Sequence, residues 1–172
     1  MIPDTRVDRD ISEQAGWAQR LSGKADGPSQ FIGDYEDIPV DPKGRLIVPV
    51  AFRRAMPVGI NTFVVTRGVD GCLEAFDPMG WEGVIKQLLS LEGNRRQNRQ
   101  FVRALAGSAL EVQMDRQGRI LLPKKHRKVA EIVNQATMVG MIDRIEIWNP
   151  ERYFEAQKDV DLNAVAEDMD MF

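Results

Sequence analysis

Alternating apolar residues lead into a turn near residue 43, and a short apolar run follows it. Tyr35, Ile38 and Val40 lead into Asp41, and Leu46, Ile47 and Val48 follow the turn, so both flanks read as strands. Lys43-Gly44 supplies the turn, because glycine takes positive φ without a steric penalty. Pro49 then opens a short helix over 50–56, where its missing N–H is no loss, and Pro57 and Gly59 end it. Residues 62–66 and 72–76 read as two further strands separated by the turn-forming RGVDG. Beyond them the spacing becomes helical. Asp77-Pro78 makes a cap and first turn, and Trp81, Val84, Ile85, Leu88 and Leu89 form one apolar face. Glu92-Gly93-Asn94 interrupts that helix, and RRQNRQFVRALAG resumes as a second one.

The same order of elements then recurs. VDPKGRLIVPVAFRRAM (40–56) aligns with MDRQGRILLPKKHRKVA (114–130) at an offset of 74, so that Asp41, Gly44, Arg45, Pro49 and Arg53 fall on Asp115, Gly118, Arg119, Pro123 and Arg127. Upstream, Phe31 and Gly33 fall on Leu105 and Gly107. Downstream, CLEAFDP (72–78) matches RIEIWNP (144–150) at an offset of 72, and Trp81 meets Tyr153. Five identities in thirteen positions, followed by a colinear second block, indicate an internal duplication. Each copy reads strand, turn, strand, short helix, strand, strand, and Asn149-Pro150 starts a helix that matches the one after Asp77-Pro78. The expected division is a flexible N-terminal extension (1–30), a first repeat (31–92), a connecting helix (93–104), a second repeat (105–158) and an acidic tail (159–172) that frays. Within the extension, 12–21 is a short helix at most and 22–30 (SGKADGPSQ) reads as a linker.

Composition narrows the class. Hydrophobic residues make up 43% of the chain, enough for a core, but no run approaches the ~20 apolar residues of a membrane span. The polar, mixed-charge start lacks the apolar stretch of a secretory signal. The single cysteine, Cys72, forms no internal disulfide, so a reducing cytoplasm is expected. The net charge of −3 hides strong clustering. Residues 43–54 carry Lys43, Arg45, Arg53 and Arg54 and no acid. Residues 116–128 carry Arg116, Arg119, Lys124, Lys125, Arg127 and Lys128, again without an acid. A third cluster, Arg95, Arg96, Arg99 and Arg103, lies on the connecting helix, while acids gather in the tail. Both repeat clusters coincide with the repeated turn.

That coincidence points to an anion. Asp41 and Arg45 stand four apart across a turn, as do Asp115 and Arg119. The plainer reading is that each Asp accepts turn N–H groups and orients its Arg, which fixes the hairpin. An arginine so held also offers a planar fork of donors to phosphate or to guanine O6 and N7. Arg53, Arg54, Lys124, Lys125, Arg127 and Lys128, on the helices that follow, are then candidates for phosphate positioning. Gly44 and Gly118 act through the backbone.

With these motifs in place, FIGDYEDIPVDPKGRLIVPVAFR, MDRQGRILLPKKHR and GMIDRIEIWNP resemble the MraZ family of the SpoVT/AbrB-like swapped-hairpin group, over residues 31–154. The resemblance implies an α+β fold, a duplicated swapped-hairpin β-barrel with helices after each half. It implies a cytoplasmic, nucleoid-associated regulator, usually a repressor, that binds repeats in double-stranded promoter DNA of the division and cell-wall gene cluster, its own operon included. It implies a homo-oligomeric ring, an octamer or dodecamer, with no cofactor, metal or membrane. The family's Asp and Arg carry over to Asp41, Arg45, Asp115 and Arg119, and Lys43 joins them at the first turn. KGR in the first turn becomes QGR in the second, so Arg45 is expected to dominate over Arg119. The extension 1–30 lies outside the family pattern.

Two other classes compete. An enzyme would need chemistry from Cys72 or His126, the only residues of their kinds, yet Cys72 opens an apolar strand and His126 stands alone in a basic helix. No glycine-rich phosphate loop is present. An AbrB-like protein-binding or antitoxin-type module would carry one copy of the fold with a disordered tail, whereas here the fold is doubled and the tail is short.

Overall fold

The local patterns become eight strands and six helices in a computed structural model that describes residues 29–169. The extension, including the expected helix over 12–21, lies outside the described residues apart from Ser29 and Gln30. The first half contributes β1 (Asp34–Pro39), β2 (Arg45–Ile47), α1 (Val50–Ala55), β3 (Thr62–Arg67) and β4 (Leu73–Phe76). Helices α2 (Pro78–Leu89) and α3 (Arg96–Leu105) follow. The second half repeats the order as β5 (Leu110–Gln113), β6 (Arg119–Leu121), α4 (Lys124–Val129), β7 (Gln135–Gly140) and β8 (Ile145–Trp148), followed by α5 (Pro150–Gln157) and α6 (Leu162–Asp168). Asp77 and Asn149 cap the matching helices α2 and α5. Asp77 Oδ1 accepts from the Gly80 N–H at 2.6 Å, and Asn149 Oδ1 from the Glu151 N–H at 2.8 Å. The acidic tail, expected to fray, is helical over Leu162–Asp168, with Asp161 accepting from the N–H groups of Asn163 and Ala164.

The two halves share one sheet. Its order is β1-β7-β8-β4-β3-β5, every neighbouring pair antiparallel, and β2 pairs with β6 in a separate two-stranded ribbon. The first strand of each half therefore lies against the third strand of the other half. A pseudo-twofold axis follows from the registers, because it must pass where a residue meets its own repeat counterpart. Leu46 pairs with Ile120 in the ribbon, and Glu74 with Glu146 between β4 and β8. The sheet stays open, with β1 and β5 at its edges, so the described strands do not close into the expected barrel.

One upstream match fails. Ile38 opposite Ala136 corresponds to Val112 opposite Phe63, which places the halves 74 apart, but Tyr35 opposite Met138 corresponds to Leu110 opposite Val65, 75 apart. A bulge between Tyr35 and Ile38, with Asp37 at φ 54°, supplies the extra residue. Phe31 and Gly33 are consequently not the counterparts of Leu105 and Gly107. Phe31 bridges to Ile142 and is fully buried, whereas Leu105 ends α3.

The core lies between the sheet, the ribbon and the short helices. Leu46, Val48, Phe52, Phe63, Val65, Leu73, Ile120, Leu122, Met138, Ile145 and Ile147 have almost no exposure. Phe52 of α1 meets Phe31 and Tyr35 edge-on, with centroids 5.8 and 5.0 Å away. Its counterpart in α4 is His126, also buried, with Nε2 at 2.7 Å from the Ser108 carbonyl oxygen.

Duplication also imposes a like-charge pair. A side chain on the axis faces its own copy, so Glu74 and Glu146 stand directly opposite each other, Glu74 buried. Burial pushes the Glu74 carboxyl up, against the Arg144 charge that favours ionisation. Arg144, which replaces Cys72 in the repeat, reaches Glu74 Oε1 at 3.5 Å and lies over the Phe76 ring at 5.0 Å. Glu146→Gln removes one of the two opposed charges yet keeps an oxygen for the Trp148 indole N–H, which donates to Glu146 at 2.8 Å. The variant is expected to gain about 0.2–1 kcal/mol in denaturant unfolding at neutral pH. A loss of stability would show that the Glu146 charge is compensated.

Candidate nucleic-acid interface

Each repeated turn is built the same way from its aspartate. Asp41 Oδ1 accepts the Lys43 and Arg45 N–H groups at 3.0 and 2.9 Å, and Oδ2 accepts Arg45 Nε–H at 2.6 Å. Asp115 Oδ1 accepts the Gln117 and Arg119 N–H groups at 2.9 Å each, and Oδ2 accepts Arg119 Nε–H at 2.8 Å. The chain closes each turn with a hydrogen bond from the glycine N–H to the aspartate carbonyl, and Gly44 and Gly118 adopt φ of 93° and 79°. Because Nε is the nitrogen engaged, the two terminal nitrogens of Arg45 and of Arg119 have no hydrogen-bond partner among the described residues. Those are the nitrogens that present a bidentate edge.

The Arg45 N–H is the largest influence holding the Asp41 carboxyl below the usual carboxylate value; desolvation opposes it and the Arg45 guanidinium reinforces it. Asp115 is lowered in the same way by the Arg119 N–H, again against desolvation and with help from the guanidinium. A carboxyl lowered on folding adds stability above its unfolded value, about 3.9, and loses it as pH falls through the lower folded value. Carbon-detected NMR titration is expected to put both midpoints below ~3.9. A midpoint at or above that value would mean that the turn bonds do not form in solution.

The ribbon brings the two turns together. In β2 and β6 the middle residues, Leu46 and Ile120, point into the core, so Arg45, Ile47, Arg119 and Leu121 share the outer face. Arg45 pairs with Leu121 and Ile47 with Arg119. The arginines thus occupy one diagonal of the ribbon, within reach of each other's long side chains, and two half-exposed aliphatic side chains occupy the other. Strand alternation already placed Ile47 and Leu121 on the face opposite the core. The sequence reading missed them as surface residues because it followed charge.

The other candidate residues divide into two groups. Lys43, Arg54, Lys124, Lys125 and Lys128 are exposed, at the first turn tip or on α1 and α4. Arg116 of the second turn is exposed as well. Arg53 and Arg127 are half-buried and brace the turns. Arg53 Nε–H donates to the Val48 carbonyl at 3.0 Å, Arg127 Nε–H to the Leu122 carbonyl at 3.1 Å. Each guanidinium packs against the glycine of the opposite repeat's turn, Arg53 on Gly118 and Arg127 on Gly44. Backbone bonds cross in the same sense, from the Val48 N–H to the Gly118 carbonyl and from the Leu122 N–H to the Gly44 carbonyl. The third basic cluster stands elsewhere, on and before α3, where Arg99 donates to the Gly93 and Asn94 carbonyls.

Cys72 and His126 are not drawn into this surface. Burial, aided by the charges of Glu146 and Glu74, pushes the Cys72 thiol up to about 12, far from the thiolate a nucleophile needs. His126 is buried on the inner side of α4, and no cluster of His, Cys, Asp and Glu among the described residues could hold a metal. No described helix is long and apolar enough to cross a membrane.

The geometry defines a duplicated α+β protein whose halves interleave in one sheet and whose two arginine-bearing turns meet on one ribbon. The family model described as "MraZ protein, putative antitoxin-like" matches twice, over residues 31–104 and 105–172. The chain belongs to the MraZ family. A protein of Pediococcus pentosaceus named "Transcriptional regulator MraZ" is 41% identical over 133 residues, 77% of this chain and 90% of that one. One of the same name from Roseiflexus castenholzii is 40% identical over 134 residues (78% and 91%), and one from Lactiplantibacillus plantarum is 36% identical over 141 residues (81% and 97%).

Proposed function

We propose that this protein is a sequence-specific DNA-binding transcriptional regulator, and a repressor, of the division and cell-wall gene cluster that includes its own operon. The carrying observation is the ribbon, where two aspartate-held arginines share one outer face with terminal nitrogens that have no hydrogen-bond partner among the described residues. The relatives' names support regulation of transcription. Arg45 and Arg119 read base edges or clasp phosphates, while Lys43, Arg54, Lys124, Lys125 and Lys128 position the backbone. Asp41 and Asp115 orient the arginines, and Arg53 and Arg127 hold the turns against each other. No catalytic step is assigned. The protein acts in the cytoplasm, on the nucleoid, as a homo-oligomeric ring of eight or twelve subunits, each repeat supplying one half of the interleaved sheet and ribbon.

A ring suits contacts that are weak singly, because linked copies bind spaced repeats at high effective concentration. The test is a gel-shift titration with the DNA upstream of the gene itself. Tight retardation is expected on duplexes with several repeats, weaker binding on a duplex with one, and a steep linear fall of log affinity with log salt. A flat salt response would remove backbone contact, and equal affinity for one and several repeats would remove the ring's role.

A second reading, an antitoxin-type module, draws on the family description and on the exposed apolar residues of α6. In that reading the tail seizes a toxin protein, and its loss leaves promoter binding by the purified protein unchanged.

A further inference from the structure

Helix α6 carries an apolar stripe that the chain itself leaves exposed. Leu162 and Val165, with Met169 at the C-cap, fall at i, i+3 and i+7 and are 74%, 45% and 61% exposed, and no residue of α6 is buried. Asp168 flanks the stripe and Glu167 lies on the far face, and from Asp161 to the end of the sequence there are four acids and no base. Between α2 and α3 lies the complement, a cleft of about 360 Å³ walled by Leu88, Leu89, Leu91 and Val102 and rimmed by Arg99 and Arg103. Leu89 is 79% exposed, and no residue of α2 is buried. The rim is strongly basic, since α3 holds Arg96, Arg99 and Arg103 without an acid.

We propose that α6 of one copy docks into the α2–α3 cleft of a second copy, apolar stripe against apolar floor and the flanking Asp168 beside the arginines. The occupant is a second copy because the chain offers both the cleft and an exposed helix of matching apolar pattern and opposite charge. Cleft and helix are different surfaces, so the contact is head-to-tail: each copy gives one helix and receives another, and a succession of such contacts closes only as a ring. The asymmetry of the repeat fits this use, since α3 follows the first half and acidic α6 the second. The inference rests on the ring reading above and names the joint that closes it.

The test is the mass of full-length protein by light scattering after gel filtration. Val165→Asp with Met169→Asp spoils the helix but keeps the cleft, while Leu89→Asp with Arg103→Glu spoils the cleft but keeps the helix. Each variant alone is expected to run as a single subunit. Mixed one to one, they are expected to give a complex of two subunits and nothing larger, because a single intact helix meets a single intact cleft. Misfolded variants would not recombine, so recombination establishes that both are native. Variants that keep the wild-type mass, or a mixture that stays monomeric although each variant unfolds cooperatively with the wild-type circular dichroism spectrum, would overturn the inference while leaving an assembled wild type, and hence the ring, in place. A monomeric wild type would overturn both.

Discussion

With Arg45 and Arg119 both replaced by alanine, the protein should remain folded and lose specific affinity for its promoter DNA by about 2–6 kcal/mol, from about 30-fold to 10⁴-fold, as the sum of two bidentate contacts worth ~1–3 kcal/mol each. Folding should survive because each side chain is about a third exposed and each aspartate keeps its backbone bonds. The single variants are the finer measurement. The lysine in the first turn suggested that Arg45 would dominate, yet the two turns match to within about 0.2 Å in every corresponding bond. Geometry therefore favours comparable losses from Arg45→Ala and Arg119→Ala. Asp41→Ala should act through Arg45, so that Asp41→Ala with Arg45→Ala binds little worse than Arg45→Ala alone. Full additivity would give Asp41 a role of its own, and unchanged affinity in the folded double arginine variant would take the ribbon out of the DNA site.

Much of this surface could be read from the sequence because its elements are local. Asp41 to Arg45 spans one turn, Gly44 needs a positive φ that few other residues tolerate, and the same five residues recur 74 positions later. Strand and helix positions followed from the apolar period and from the Asp77-Pro78 and Asn149-Pro150 caps. Partnership did not. Alternation at Leu46 and Ile120 says which side faces a core, but it carries no information on which strand lies alongside. The crossed pairing of β1 with β7 and β5 with β3 depends on non-local contacts that no short window contains. The same limit hid the roles of Arg53 and Arg127. Their charge marked them as phosphate ligands, whereas their direction, back onto Val48 and Leu122 and across to the other turn, depends on the fold. The bulge at Asp37 escaped because a single extra residue leaves the apolar pattern of Tyr35 and Ile38 readable either way. In the tail, acidity suggested fraying and outweighed a stripe, Leu162, Val165 and Met169, that was present at helical spacing.

Gly44→Ala should destabilise the protein by about 2–6 kcal/mol in denaturant unfolding, and more than Gly118→Ala does. Both positions lie at positive φ, where a Cβ adds about 1–3 kcal/mol of strain. The surroundings then separate them. A Cβ on Gly44 would stand 2.7 Å from the Leu122 carbonyl oxygen and 2.5 Å from Arg127 Nε. That carbonyl cannot swing aside, because it accepts Arg127 Nε–H and belongs to the residue whose own N–H donates to Gly44. At Gly118 the nearest atoms all belong to the Arg53 side chain, at 2.7–2.9 Å, and that chain can rotate away for the loss of its bond to Val48. Arg127→Ala added to Gly44→Ala should recover only part of the loss, since the backbone clash and the strain persist, whereas Arg53→Ala added to Gly118→Ala should recover the steric part almost entirely. Crowding of a packed site by one methyl group accounts for the remaining 1–3 kcal/mol expected at Gly44. Equal destabilisation at the two glycines would mean that the turns relax independently of the opposite repeat, and the cross-bracing by Arg53 and Arg127 would then have no energetic consequence.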